Sequence, residues 1–80
     1  MEQGAKPLCA LKEGEKAVVE QVNGPRPLRL RLQELGLVSG QTVFCLRIAP
    51  MGSPAAYCIR GSVIAIRMQD ARSVEVRPWD

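Results

Sequence analysis

Histidine is absent from this 80-residue chain, and aromatic residues are scarce: one Trp, one Tyr and one Phe. The first absence removes the commonest general base and the commonest transition-metal ligand. The second means that Val, Ile, Leu and Ala must build the core, and it leaves few platforms for stacking nucleic-acid bases. The three cysteines, Cys9, Cys45 and Cys58, form no CxxC pair. An odd, scattered set argues against both a disulfide framework and a zinc ribbon. No apolar run approaches the ~18 residues of a membrane span. The opening "MEQGAKPLCALKEGEK" carries charge where a signal peptide is apolar. These absences predict a cytoplasmic protein with reduced thiols. No Gly-rich phosphate loop occurs, and no motif sets an acid beside a base, so the chain is expected to be no enzyme and to bind no nucleotide, metal or cofactor.

What is present fits one small domain. A length of 80 residues allows a single unit, residues 1–80 with a core of about 8–77, and the start at Met1 predicts a complete small protein. The formal net charge is +3, with 24% charged and 46% hydrophobic residues. The basic residues are spread along the chain, and only Arg26, Arg29 and Arg31 cluster. That pattern suits a solvated face better than a nucleic-acid stripe, although a basic barrel binding nucleic acid through Arg26, Arg29, Arg31 and Arg60 is the alternative class.

The segment "PLRLRLQELGLVSG" at 27–40 begins like a strand and ends like a helix. The ending decides. Gly36 suits the left-handed conformation that closes a helix, and Leu37 sits where the closing motif folds an apolar residue back onto Leu32. Pro25 and Pro27 both fit a helix beginning near residue 25. The spacing therefore predicts a helix over 25–35, with Leu28, Leu32 and Leu35 inward and Leu30, between Arg29 and Arg31, outward.

The rest reads as strands at 15–22, 42–48, 55–60, 63–67 and 74–77. The first is expected to be bulged, because Ala17, Val19 and Val22 break period two. Gly61-Ser62 is expected to make a tight turn, "APMGSP" (49–54) a loop, and "MQDARS" one helical turn or a loop. In the second strand Val43 and Cys45 share one face while Phe44, Leu46 and Ile48 share the other. The helix or the segment Pro7, Leu8 and Leu11 is expected to cover that second face. Left bare, it or a sheet edge would offer a surface for self-association. Tyr57, Ile59, Ile64, Ile66, Val74 and Val76 are expected to point inward, and Trp79 to lie as a lid.

At this point the chain resembles the FeoA family, the small cytoplasmic proteins of bacterial ferrous iron transport. The helix end matches at Leu32, Leu35, Gly36 and Leu37, and the following turn at Gly40. The loop matches at Ala49, Pro50, Gly52 and Pro54, and the strand-turn-strand at Ile59, Gly61, Ile64, Ile66 and Arg67. The resemblance implies a mostly β fold: a small SH3-like five-stranded barrel with one short α-helix inserted after the first strand. A similar domain ends the regulators related to the diphtheria toxin repressor. It also implies, at the level of the family, an association with iron and a partner, the ferrous iron permease, whose cytoplasmic part hydrolyses GTP. The chain is then expected to be an adaptor that meets the membrane only through that permease. The candidate contacts are Arg29 and Leu30 on the helix and Pro50, Met51 and Pro54 in the loop. Loops and adaptable methionines are common at binding surfaces. The family usually shows a run of arginines where this helix reads "LRLRL".

Overall fold

The computed structural model describes residues 4–79; residues 1–3 and 80, at the two ends of the expected domain, lie outside the described residues. In chain order the elements are β1 (Lys6–Pro7), a 3-10 turn (Leu8–Ala10), β2 (Lys16–Val22), α1 (Arg26–Glu34), β3 (Thr42–Ile48), β4 (Ala55–Ile59), β5 (Ser62–Ile66), α2 (Met68–Ala71) and β6 (Val74–Pro78). All ladders are antiparallel, and the sheet order is β1-β6-β2-β3-β4-β5. The five expected strands are present, with the helix after the first of them. The sixth strand is the two-residue β1, which pairs Lys6 with Val76 and Pro7 with Glu75. A pair that short has no periodicity to read.

One face of the curved sheet holds the core. Ala17, Val19, Val43, Cys45, Tyr57, Ile59, Val74 and Val76 are buried there, and Leu8, Leu11, Leu32 and Leu37 close over them. The 3-10 turn contributes Leu8, so the N-terminal segment joins the core rather than covering the opposite face. Ile66 is buried, and Ile64 packs against the cluster.

The helix ends as its residues dictate. The Leu37 N–H donates to the Leu32 carbonyl at 3.1 Å and the Gly36 N–H to the Gln33 carbonyl at 3.0 Å. Gly36 takes a φ of +108°. These two bonds satisfy carbonyls that the last turn would leave open, and they carry Leu37 into the core. Pro25 caps the start, and Pro27 sits in the first turn. One expectation fails here. Leu35 is the residue that caps the helix and remains 40% exposed rather than facing inward, because the helical path stops one residue before it.

Two bulges shape the sheet. The expected one lies in β2, where the register with β6 shifts between Val19 and Gln21. The other is in β3, where Cys45 pairs with Tyr57 but Arg47 with Ala56, so Leu46 is the extra residue. The face assignment beyond Cys45 is therefore corrected. The inserted residue turns Ile48 onto the core side, opposite Ala55, and leaves Leu46 47% exposed. Glu13 holds this kink: its carboxylate accepts the Ile48 N–H at 2.8 Å.

The turn between β4 and β5 is Arg60-Gly61, one residue earlier than expected. Both residues have positive φ, 54° and 84°, as a two-residue type I′ hairpin requires. Trp79 is half-exposed, with the Lys16 ammonium 4.5 Å above its ring, so it is not a lid on the core.

Candidate docking surfaces

Four surfaces carry exposed apolar side chains. On α1, Leu30 lies opposite Leu32 and is 47% exposed while Leu32 is buried. Its neighbours are not free cations. Arg29 Nη1 donates to the Gly24 carbonyl at 3.0 Å, holding the loop before the helix, and Arg31 Nη2 lies 3.2 Å from Asp70 Oδ2. The helix thus presents a leucine between two arginines that are both engaged within the chain.

The second surface is the loop 49–54. It closes on itself through Gly52 N–H to Ala49 carbonyl (2.7 Å) and Ala49 N–H to Pro54 carbonyl (3.1 Å). The Ser53 hydroxyl accepts the Met68 N–H at 2.9 Å, tying the loop to α2. The Ser53–Pro54 peptide bond is cis. Pro50 and Pro54 are brought together, lining a shallow concavity of about 370 Å³ with Ala49, Ala55, Ala56 and Ala65. Met51 stands clear of the body at 93% exposure. Arg29 and Leu30 do not line this concavity.

The third surface escaped the sequence reading. A groove of about 350 Å³ runs between α1 and β5, lined by Arg31, Leu32, Leu35, Ala65, Ile66 and Arg67, with Asp70 at its end. The strand expected at 63–67 already holds Ala65, Ile66 and Arg67, and only the packing of α1 alongside them makes the groove. The outer sheet face adds a row, Lys16, Phe44, Cys58 and Val63, set side by side by the register. Phe44 and Cys58 are half-buried, and Val63 and Leu46 are exposed. Neither the helix nor the N-terminal segment covers that face as expected. The helix packs on β2, and the N-terminal segment lies on the core side.

The titratable groups offer little chemistry. Burial, then the carboxylates of Glu13 and Glu15, push the Cys45 thiol up, away from the reactive thiolate. Burial pushes Tyr57 up to about 12. Among the described residues no three or more Cys, Asp or Glu side chains gather where they could hold a metal ion. No helix among them is long and apolar enough to cross a membrane.

Comparison with known proteins places this geometry. The family model described as FeoA domain matches residues 6–78. A fusion protein of Porphyromonas gingivalis, Fe(2+) transport protein A joined to the Fe(2+) transporter FeoB, is 35% identical over 69 residues; these are 86% of this chain and 8% of the fusion protein. The chain thus spans under a tenth of that relative. The FeoA protein of Chlorobium tepidum superposes with a TM-score of 0.86 at 34% identity, over 92% of this chain and 70% of that one. FeoA of Stenotrophomonas maltophilia, solved in complex with zinc and described as a procaryotic SH3 domain protein, superposes with a TM-score of 0.79 at 32% identity, over 90% and 89% of the two chains. A manganese-dependent transcriptional repressor shares the fold alone: TM-score 0.86 at 12% identity, over 99% of this chain and 44% of the repressor. The matched residues run from the two-residue first strand to the end of the last, and on that evidence the chain belongs to the FeoA family, which is associated with ferrous iron transport.

Proposed function

We propose that this chain is a cytoplasmic adaptor that docks on the GTP-hydrolysing cytoplasmic part of the ferrous iron permease and regulates uptake. One observation carries the reading. In the Porphyromonas gingivalis relative a FeoA segment shares one polypeptide with the transporter FeoB. A covalent link of this kind replaces an association that separate chains must make through their surfaces, at a high effective concentration. The surfaces here suit such a task. Leu30 is an apolar knob that the core does not use, and Pro50, Met51 and Pro54 form a closed, exposed loop. Arg29 is proposed as a positioning residue that fixes the approach to the helix through Gly24. On this reading the chain is not an enzyme, takes no cofactor or metal of its own, and acts by contact.

Binding to nucleic acid is the weaker reading. Two of its four arginines, Arg29 and Arg31, are engaged inside the molecule. Co-purification of this chain with the permease's cytoplasmic region, with and without guanine nucleotide, tests the docking role. Retention of the wild-type chain and its loss in Leu30→Asp support it. Failure of the wild-type chain to be retained in either condition overturns it.

A further inference from the structure

We infer that the free edge of β5 takes up an acidic, extended protein segment, which adds to the sheet as a further strand beside α1. The hairpin geometry gives the first ground. In a two-residue type I′ hairpin the residues flanking the turn exchange both backbone bonds, and hydrogen-bonded and non-hydrogen-bonded pairs then alternate. Ile59 and Ser62 flank the turn Arg60-Gly61, so Ser62, Ile64 and Ile66 bond to β4. The N–H and C=O groups of Val63 and Ala65 consequently point away from β4. β5 ends the sheet order, and no hydrogen bond among the described residues engages these groups elsewhere. An exposed row of this kind is a template for another strand.

The second ground is charge. Arg60 and Arg67 stand at the two ends of β5, and neither forms an ion pair among the described residues. The one acid lining the groove, Asp70, is already paired with Arg31. The edge is therefore cationic at both ends, while exposed Leu35 with Ala65 and Ile66 gives the groove apolar walls. A segment that alternates acidic and apolar residues matches both features. A second copy of this chain fails the charge match. Antiparallel β5–β5 pairing would set the Arg60 end of each copy against the Arg67 end of the other, and like charges across a ladder are destabilising.

The probe is a short, end-capped synthetic peptide alternating glutamate and valine, with a lysine–valine peptide as its counterpart. The glutamate peptide should bind, weaken as salt rises, and slow hydrogen exchange at the Val63 and Ala65 amides. Methylating its backbone nitrogens on the edge facing β5 should abolish binding, and methylating the opposite edge should not. Arg67→Glu should weaken binding roughly tenfold or more. Ala65→Pro removes an outward N–H while leaving the β4 ladder intact, and should eliminate binding with the fold retained. The methylated peptides decide the matter should that variant not fold. Several results overturn the inference: no binding, equal binding of the lysine peptide, insensitivity to backbone methylation, or protection of Val63 and Ala65 through a dimer of the chain alone. None of them bears on the docking role of Leu30. Ala65 also lines the Pro50–Pro54 concavity, so backbone methylation of the peptide and Arg67→Glu, rather than Ala65→Pro, separate this inference from the docking role of that loop.

Discussion

Gly36 and Ile59 approach so closely that the helix terminus has no room for a side chain. A Cβ on Gly36 would lie 2.9 Å from Ile59 Cγ2, and the residue also has a φ of +108°. The motif that ends α1 and the core position of β4 are thus one contact. Gly36→Ala should cost more than the ~1 kcal/mol of a strained backbone alone, because Ile59 must also shift. Gly40, with a φ of +91° and open space around it, is the control. Its alanine variant should lose only the conformational part. Thermal melts of the two variants measure the difference.

Leu30 and Leu32 are two residues apart on α1 yet opposite in role. Leu32→Asp places an uncompensated charge in the core, an effect of about 3 kcal/mol or more that unfolds a domain this small. Leu30→Asp should melt within a degree or two of wild type. Equal melting of both variants would contradict the helix assignment.

The bulge in β3 depends on a residue 35 positions away. Glu13 accepts the Ile48 N–H, so Glu13→Ala leaves that donor to water and should cost about 0.5–1.5 kcal/mol. The exchange rate of the Ile48 amide should rise in this variant more than that of any amide in β6.

Acid should remove a contribution from Glu15. The Lys12 N–H first, then the Lys6 and Lys12 charges, hold its carboxyl below the ordinary value of 4.5 despite some opposing desolvation. A depressed carboxyl pKa means that the ion favours the folded state. The stabilisation is complete above the ordinary value and fades as the pH drops through the lower folded one. Glu15→Gln should flatten the stability profile in that acidic window and leave its shape near neutrality unchanged.

Alkali should act through Tyr57, the one tyrosine of the chain. Burial raises its pKa from 10.0 to about 12. The neutral phenol favours the fold, so the contribution is complete below pH ~10 and is lost as the pH rises toward ~12. Phenolate absorbance at equilibrium should therefore appear about two units later than in the unfolded chain. A transition near the ordinary value would contradict the burial.

Local chemistry explains which features were legible in the sequence. Gly36 and Leu37 announced the helix end, and the broken alternation of Ala17, Val19 and Val22 announced the β2 bulge, since each signal lies within a few residues. The β3 bulge was hidden because "TVFCLRI" alternates well enough without it and because Glu13 reaches it from a distant loop. The expected turn at Gly61-Ser62 lies one residue later than the observed Arg60-Gly61, since a positive φ at arginine is unfavourable in isolation and only the hairpin imposes it. Arg29 looked like a surface charge, and its bond to Gly24 is visible only once the loop before α1 is built. The α1–β5 groove joins residues of the two elements that are thirty or more positions apart, so no local pattern could outline it.

Titration of the permease's cytoplasmic region with this chain, wild type beside Leu30→Asp, tests the central claim most directly. The account predicts saturable binding by the wild type and a loss of about tenfold or more in the variant at an unchanged melting temperature, a hot-spot effect of ~1.4 kcal/mol or above. Absence of binding by the wild type, or equal affinity of the two chains, would contradict it.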